Sequence, residues 1–232
     1  MQYEVATMVY GDVTGDGVFD VVIVWGWHKP DTPYWEGLTI DVQNGVTGEI
    51  ARQPLSQSEG YDPSIWLGDV TGNGVDDIVL TIQTGGSGAT INAYVFQYEP
   101  QRLATLFDSE QFQNQYAYQV NYQDQYLVHV LSQSNQELYS IDLSLRPSEY
   151  LNEIYDQDGV LLEPIEGWVN PMSGLYPVDF DGDGVYELMI LQRIAGRYNA
   201  DAIGYVQTVL DWQDNYFELS QQYVEVFGQP NV

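Results

Sequence analysis

Three short stretches place oxygen-bearing side chains at alternate positions: GDVTGDGVFD at 11–20, GDVTGNGVDD at 68–77 and VDFDGDGVYE at 178–187. Counted from the first aspartate, the first offers Asp12, Thr14, Asp16, the Val18 carbonyl and Asp20. The second offers Asp69, Thr71, Asn73, the Val75 carbonyl and Asp77, and the third Asp179, Asp181, Asp183, the Val185 carbonyl and Glu187. Calcium takes six to eight hard oxygen ligands in flexible geometry, and alternating side chains around a tight turn supply such a set. Gly17, Gly74 and Gly184 at position six allow the turn. An EF-hand is excluded, because its position-twelve glutamate is replaced by Ile23, Leu80 and Ile190, all inside strand-like runs. One Asp-Gly loop is explained by turn chemistry alone. Three in register, each crowding mutually repelling oxygens, point to Ca2+ as the cofactor. Carboxylate count ranks affinity third, first, second, and Asp76, at position eight, is expected to point away.

Other chemistry has little to stand on. There is no cysteine, which removes disulfides, zinc-thiolate sites and thiol catalysis. The two histidines, His28 and His129, have no identifiable triad partners, so no catalytic residue is assigned. GGSGA at 85–89 ends in Ala and leads into a strand pattern, unlike a nucleophile elbow. DQDGVLLE at 156–163 reads as a hairpin turn around Asp158-Gly159 rather than a fourth cation loop. Trp25 and Trp27 share one side of a strand, with Trp35 nearby; buried packing is favoured over a sugar-stacking platform.

The elements that must carry these loops are strands. VVIVW at 21–25, IVLTIQ at 78–83, TINAYVFQY at 90–98, YLVHVL at 126–131 and ELMIL at 187–191 are short, β-branched or aromatic. The one helix predicted lies within 149–156, after Pro147-Ser148. Asp12, Asp69 and Asp179 are 57 and 110 residues apart, so a degenerate fourth unit is implied near residues 118–131. A strand, an acidic loop and further strands every fifty-odd residues match the length of a propeller blade. The expected fold is all-β, a single domain over 1–232 forming a small β-propeller of about four blade-like repeats; the alternative is another repeat-built antiparallel sheet domain.

Charge narrows the partners. Thirty-four acidic against six basic residues give a formal net charge of -28, whose field repels phosphate backbones and anionic headgroups, so nucleic acid is not an expected partner. No apolar run approaches a membrane span, and residues 1–12 lack the basic and apolar regions of a secretory leader.

The three loops resemble the FG-GAP or VCBS-type calcium-binding repeat of integrin-α-like β-propellers, and residues 166–208 as a whole are similar to small bacterial VCBS-repeat proteins, some from spore formers. The Phe-Gly and Gly-Ala-Pro flanks of that family are missing, and Asn73 replaces an acid. The resemblance implies a non-enzymatic calcium-binding module, extracellular or at a cell or spore surface, meeting a protein or glycan ligand. The alternatives are a carbohydrate-binding or carbohydrate-active propeller, and a cytoplasmic location.

Overall fold

The computed structural model describes residues 3–228. Fifteen strands form three antiparallel sheets among the described residues. The first sheet is a meander of β1 (Glu4–Gly11), β2 (Asp20–His28), β3 (Trp35–Gln43) and β4 (Ile50–Pro54). The second repeats it with β5 (Tyr61–Gly68), β6 (Asp77–Gln83), β7 (Ile91–Glu99) and β8 (Arg102–Asp108). The third contains β9 (Tyr118–Gln123), β10 (Leu127–Ser132), β11 (Leu138–Asp142), β12 (Glu166–Val178), β13 (Glu187–Ala195), β14 (Ala202–Gln213) and β15 (Tyr216–Glu225), ordered β11-β10-β9-β12-β13-β14-β15.

The all-β expectation therefore holds, but four separate blades are not formed. Strands β12 to β15 make a third meander, whereas the expected fourth unit, β9 to β11, is annexed to it. Glu166 and Gly167 at the start of β12 pair with Asn121 and Val120 of β9. Register shifts near Val169 and Met172 bend β12 as it continues along β13. The seven strands curl until their two edges approach one another. Tyr139 of β11 donates to the Gln222 carbonyl of β15 (3.3 Å), and Gln222 Nε2 donates to Tyr118 Oη (2.9 Å). The result is a nearly closed barrel around Val120, Val128, Ile141, Ile194, Ile203 and Val206.

Packing explains the strand sequences. β2 alternates buried and half-buried residues, because only its Val22 and Val24 side faces another sheet. Ile78, Leu80 and Ile82 of β6 pack against that side, while Val79 packs against Leu188 and Ile190 of β13. β6 is therefore covered on both faces, which is why it reads as a continuous apolar run.

Two helices are present among the described residues. α1 (Ser109–Gln115) escaped sequence reading: Asp108 caps it by accepting from Glu110 N–H (2.8 Å), and Phe112 stacks on Tyr116 at 4.6 Å. α2 (Ser148–Asn152) lies where a helix was expected but stops after five residues.

Candidate cation-binding loops

All three acidic loops join the first and second strands of a meander, and all three have one hydrogen-bonded frame. Asp12 accepts from the amides of Gly15, Asp16 and Gly17 (2.8, 3.1 and 2.7 Å). Asp69 does the same with Gly72, Asn73 and Gly74 (2.6, 3.2 and 2.7 Å), and Asp179 with Gly182, Asp183 and Gly184 (2.7, 3.2 and 3.1 Å). At position five, Asp16, Asn73 and Asp183 accept from the amides of Val18, Val75 and Val185. The frame needs left-handed backbone at both positions four and six: φ is +74° at Gly15 and +83° at Gly17, with matching values in the other two loops. The second glycine of each pair was legible from turn chemistry; the first is needed for its positive φ in all three loops, and at Gly15 also for the packing described below.

Position nine divides the loops. Asp20 and Asp77 are buried and brace the backbone. Asp20 accepts from Val13, Thr14 and Gly45 N–H (3.0, 3.0 and 2.9 Å), and Asp77 from Val70 and Thr71 N–H (3.0 and 3.1 Å) and the Thr71 hydroxyl (3.0 Å). Burial pushes the Asp77 carboxyl up to about 6, with Asp69 adding to the rise and its hydrogen bonds to Val70, Thr71 and Gln97 opposing it. Thr14 and Thr71 also turn their hydroxyls toward position nine. In the third loop Glu187 accepts from Phe180 N–H (3.0 Å) and is only half-buried, and an aspartate replaces the position-three threonine.

Convergence follows from that difference. One carboxylate oxygen from each of Asp179, Asp181 and Asp183 lies within 4.8 Å of the other two. Among the described residues this is the one trio of carboxylate, imidazole or thiol ligands so gathered; the first and second loops do not bring three together. A hard divalent cation suits this donor set, since it would relieve the repulsion among oxygens that are largely open to water.

Position eight of the second loop, Asp76, turns toward the first unit. Its carboxylate faces the first loop, 3.4 Å from where a Cβ on Gly11 would stand, and burial together with the charges of Asp12 and Asp69 holds its pKa above the usual carboxylate range. The equivalent Tyr186 reaches the second unit in the same way. Its amide donates to the Asp69 carbonyl (2.9 Å) and its ring meets Trp66 edge-on at 4.9 Å.

Elsewhere, alternation along β2 puts Trp25 and Trp27 on the face opposite Val22 and Val24, beside a register shift in the pairing with β3, whereas Trp35 packs against the core. Residues 156–160 form the expected turn, with Asp156 accepting from Asp158 and Val160 N–H (both 2.9 Å). Sequence reading missed a buried polar network in the third sheet: Asp201 accepts from Tyr150 Oη (2.9 Å) and Arg197 N–H (3.0 Å), and Tyr150 meets Tyr122 Oη at 3.1 Å. Burial pushes Tyr122 up to about 12 and Tyr150 further. Tyr122 and Tyr150 are 28 positions apart and Tyr150 and Asp201 51, and only the folded third sheet brings the three together, so no local signal marks them.

YybI of Bacillus subtilis (strain 168), described as an uncharacterized protein, is 50% identical to this chain over 218 residues, 94% of the chain and 83% of the relative. The chain belongs to the YybI family. The YybI C-terminal domain model matches residues 116–225, which encompass the seven-stranded sheet. No solved structure matches. Membership in the YybI family corrects the resemblance to FG-GAP and VCBS repeats, and the calcium-binding and propeller properties attached to that resemblance lose their family basis. The physical reason is the brevity of the motif. A nine-residue turn that needs glycine at two left-handed positions and short acceptors for its free amides draws on few residue types, so the loop by itself does not identify a family. In the YybI family, the case for a cation rests on the geometry of these loops alone.

Proposed function

We propose that the chain is a non-enzymatic module whose third loop binds one Ca2+ through Asp179, Asp181 and Asp183, completed by Glu187 and the Val185 carbonyl. The observation that carries this reading is the convergence of the three carboxylates. The first and second loops have the same frame with fewer free acids and are weaker sites, in that order. Bound calcium would tie β12 to β13 at the end of the molecule where the second unit also contacts the loop. The fold is read as three blade-like meanders in succession, the last carrying β9 to β11 as an annex, and its role as protein or glycan recognition at a cell or spore surface, where calcium is abundant enough to fill a weak site.

Calorimetric titration of the intact chain with calcium tests it. The tightest saturable event is expected to be weakened at least tenfold by Asp181→Asn and left unchanged by Asp76→Asn. No saturable binding up to 10-fold above ~1 mM, the weak end of extracellular calcium sites, would refute the assignment.

A further inference from the structure

The internal joints of the molecule are repeats of one another, and each of their halves has an unmatched counterpart at the two ends. Where the first sheet meets the second, Ile65, Ile78 and Leu80 present the second sheet's leading face. Where the second meets the third, Leu175, Leu188 and Ile190 occupy the same loop-relative positions. The matching residues of the first sheet are Met8, Val21 and Ile23, cross-strand neighbours with no sheet against them among the described residues. The trailing faces behave likewise. Val9 and Val22 of the first sheet, and Trp66 and Val79 of the second, face the next sheet, whereas their equivalents Tyr176 and Met189 belong to no core cluster.

The loops repeat the pattern. Val75 lies over Gly15, its Cγ2 2.8 Å from where a Cβ would be, and Val185 lies over Gly72 at 3.6 Å. The next glycine in the series, Gly182, has nothing within 4 Å, and the first valine, Val18, is 43% exposed. The Tyr186–Trp66 contact also leaves two unpaired halves: Phe19, 71% exposed, and Tyr176, 47% exposed.

We propose that the occupant of each end is a second copy of this chain, docked head to tail, with Met8, Val18 and Phe19 of one copy against Tyr176, Gly182 and Met189 of the other. A joint of this kind is heterologous, and two copies forming it twice would close a ring of six sheets, inside the range of four to eight that radial sheet assemblies adopt. The inference is independent of the cation. Salt should strengthen the association, because each copy carries a net charge of -28.

Sedimentation velocity and light scattering of the wild-type chain at 1–100 μM in 0.15 M and 0.5 M NaCl should show a species of twice the 26.3 kDa chain mass. Met8→Asp spoils only the head and Tyr176→Asp only the tail, so each alone should be monomeric. An equimolar mixture should recover a one-to-one dimer through the intact head of one and the intact tail of the other. Far-UV circular dichroism checks that both variants fold. Since the chain has no cysteine, Phe19→Cys and Tyr176→Cys give a second measurement: a short bis-maleimide should join the mixture into a heterodimer and leave each variant alone uncoupled. A wild-type chain that stays monomeric throughout, or a Tyr176→Asp chain that still dimerises, would overturn the proposal, as would a mixture that fails to recover association.

Discussion

At the scale of single residues, the acids of the three loops do two different jobs. Those at positions one and five order the turn by accepting amides, and those at position nine in the first two loops are buried braces. Asp77 shows what bracing costs. Its folded pKa of about 6 lies above its ordinary 3.8, so the ionised form penalises the fold: the penalty is fully present above pH 6, fades as pH falls through 6, and is gone below about 4. With calcium chelated, lowering pH from 7 to 5 should therefore stabilise the wild-type chain by about 1 kcal/mol more than Asp77→Asn, a difference that urea unfolding at the two pH values reads directly. Equal responses would show that Asp77 does not carry the penalty. The alternation of donors was legible in the sequence because ligand spacing is local. The split between position nine in loops one and two and position nine in loop three was not, since Asp and Glu differ by one methylene and only the depth of burial assigns them different partners.

At the scale of elements, strands were legible wherever one face was covered, since period-two alternation then appears in the residues; β6 was legible as a run because both faces are covered. α1 was not, because Asp108 and the Phe112–Tyr116 pair mark a helix of only seven residues that continues directly from a strand. A second role of Gly15 was also hidden, because the valine whose Cγ2 would stand 2.8 Å from its Cβ, Val75, is sixty residues away. Gly15 and Gly182 separate the two demands on a position-four glycine. Both have positive φ, +74° and +79°, but only Gly15 has a valine over it. Gly182→Ala should cost about 1 kcal/mol from backbone strain alone. Gly15→Ala should cost a further 1–3 kcal/mol, roughly, from overpacking against Val75. Denaturant titration at 1 μM protein reads both, and equal costs would mean that the valine yields freely.

At the scale of the whole molecule, the spacing of Asp12, Asp69 and Asp179 marked three repeats but implied a fourth that does not form a separate sheet, and the arrangement of the units was not legible. The 110-residue interval fits two units by length, yet β9 to β11 lack an acidic loop and a fourth strand of their own and close against β12 and β15 instead. Pairing between strands far apart in sequence depends on β12 bending at its register shifts, a property of the assembled sheet rather than of any segment. The family relationship reinforces the lesson, since a loop motif shared with calcium-binding repeats sits here in a YybI-family chain. What the loop does must be decided by the ion itself. Anomalous diffraction from crystals grown in calcium is the most direct test: the account requires one anomalous peak enclosed by Asp179, Asp181 and Asp183, with oxygen distances of about 2.3–2.6 Å. Crystals grown in ~10 mM calcium, well above the ~1 mM weak end of extracellular sites, in which those carboxylates hold only their amide partners and solvent would contradict it.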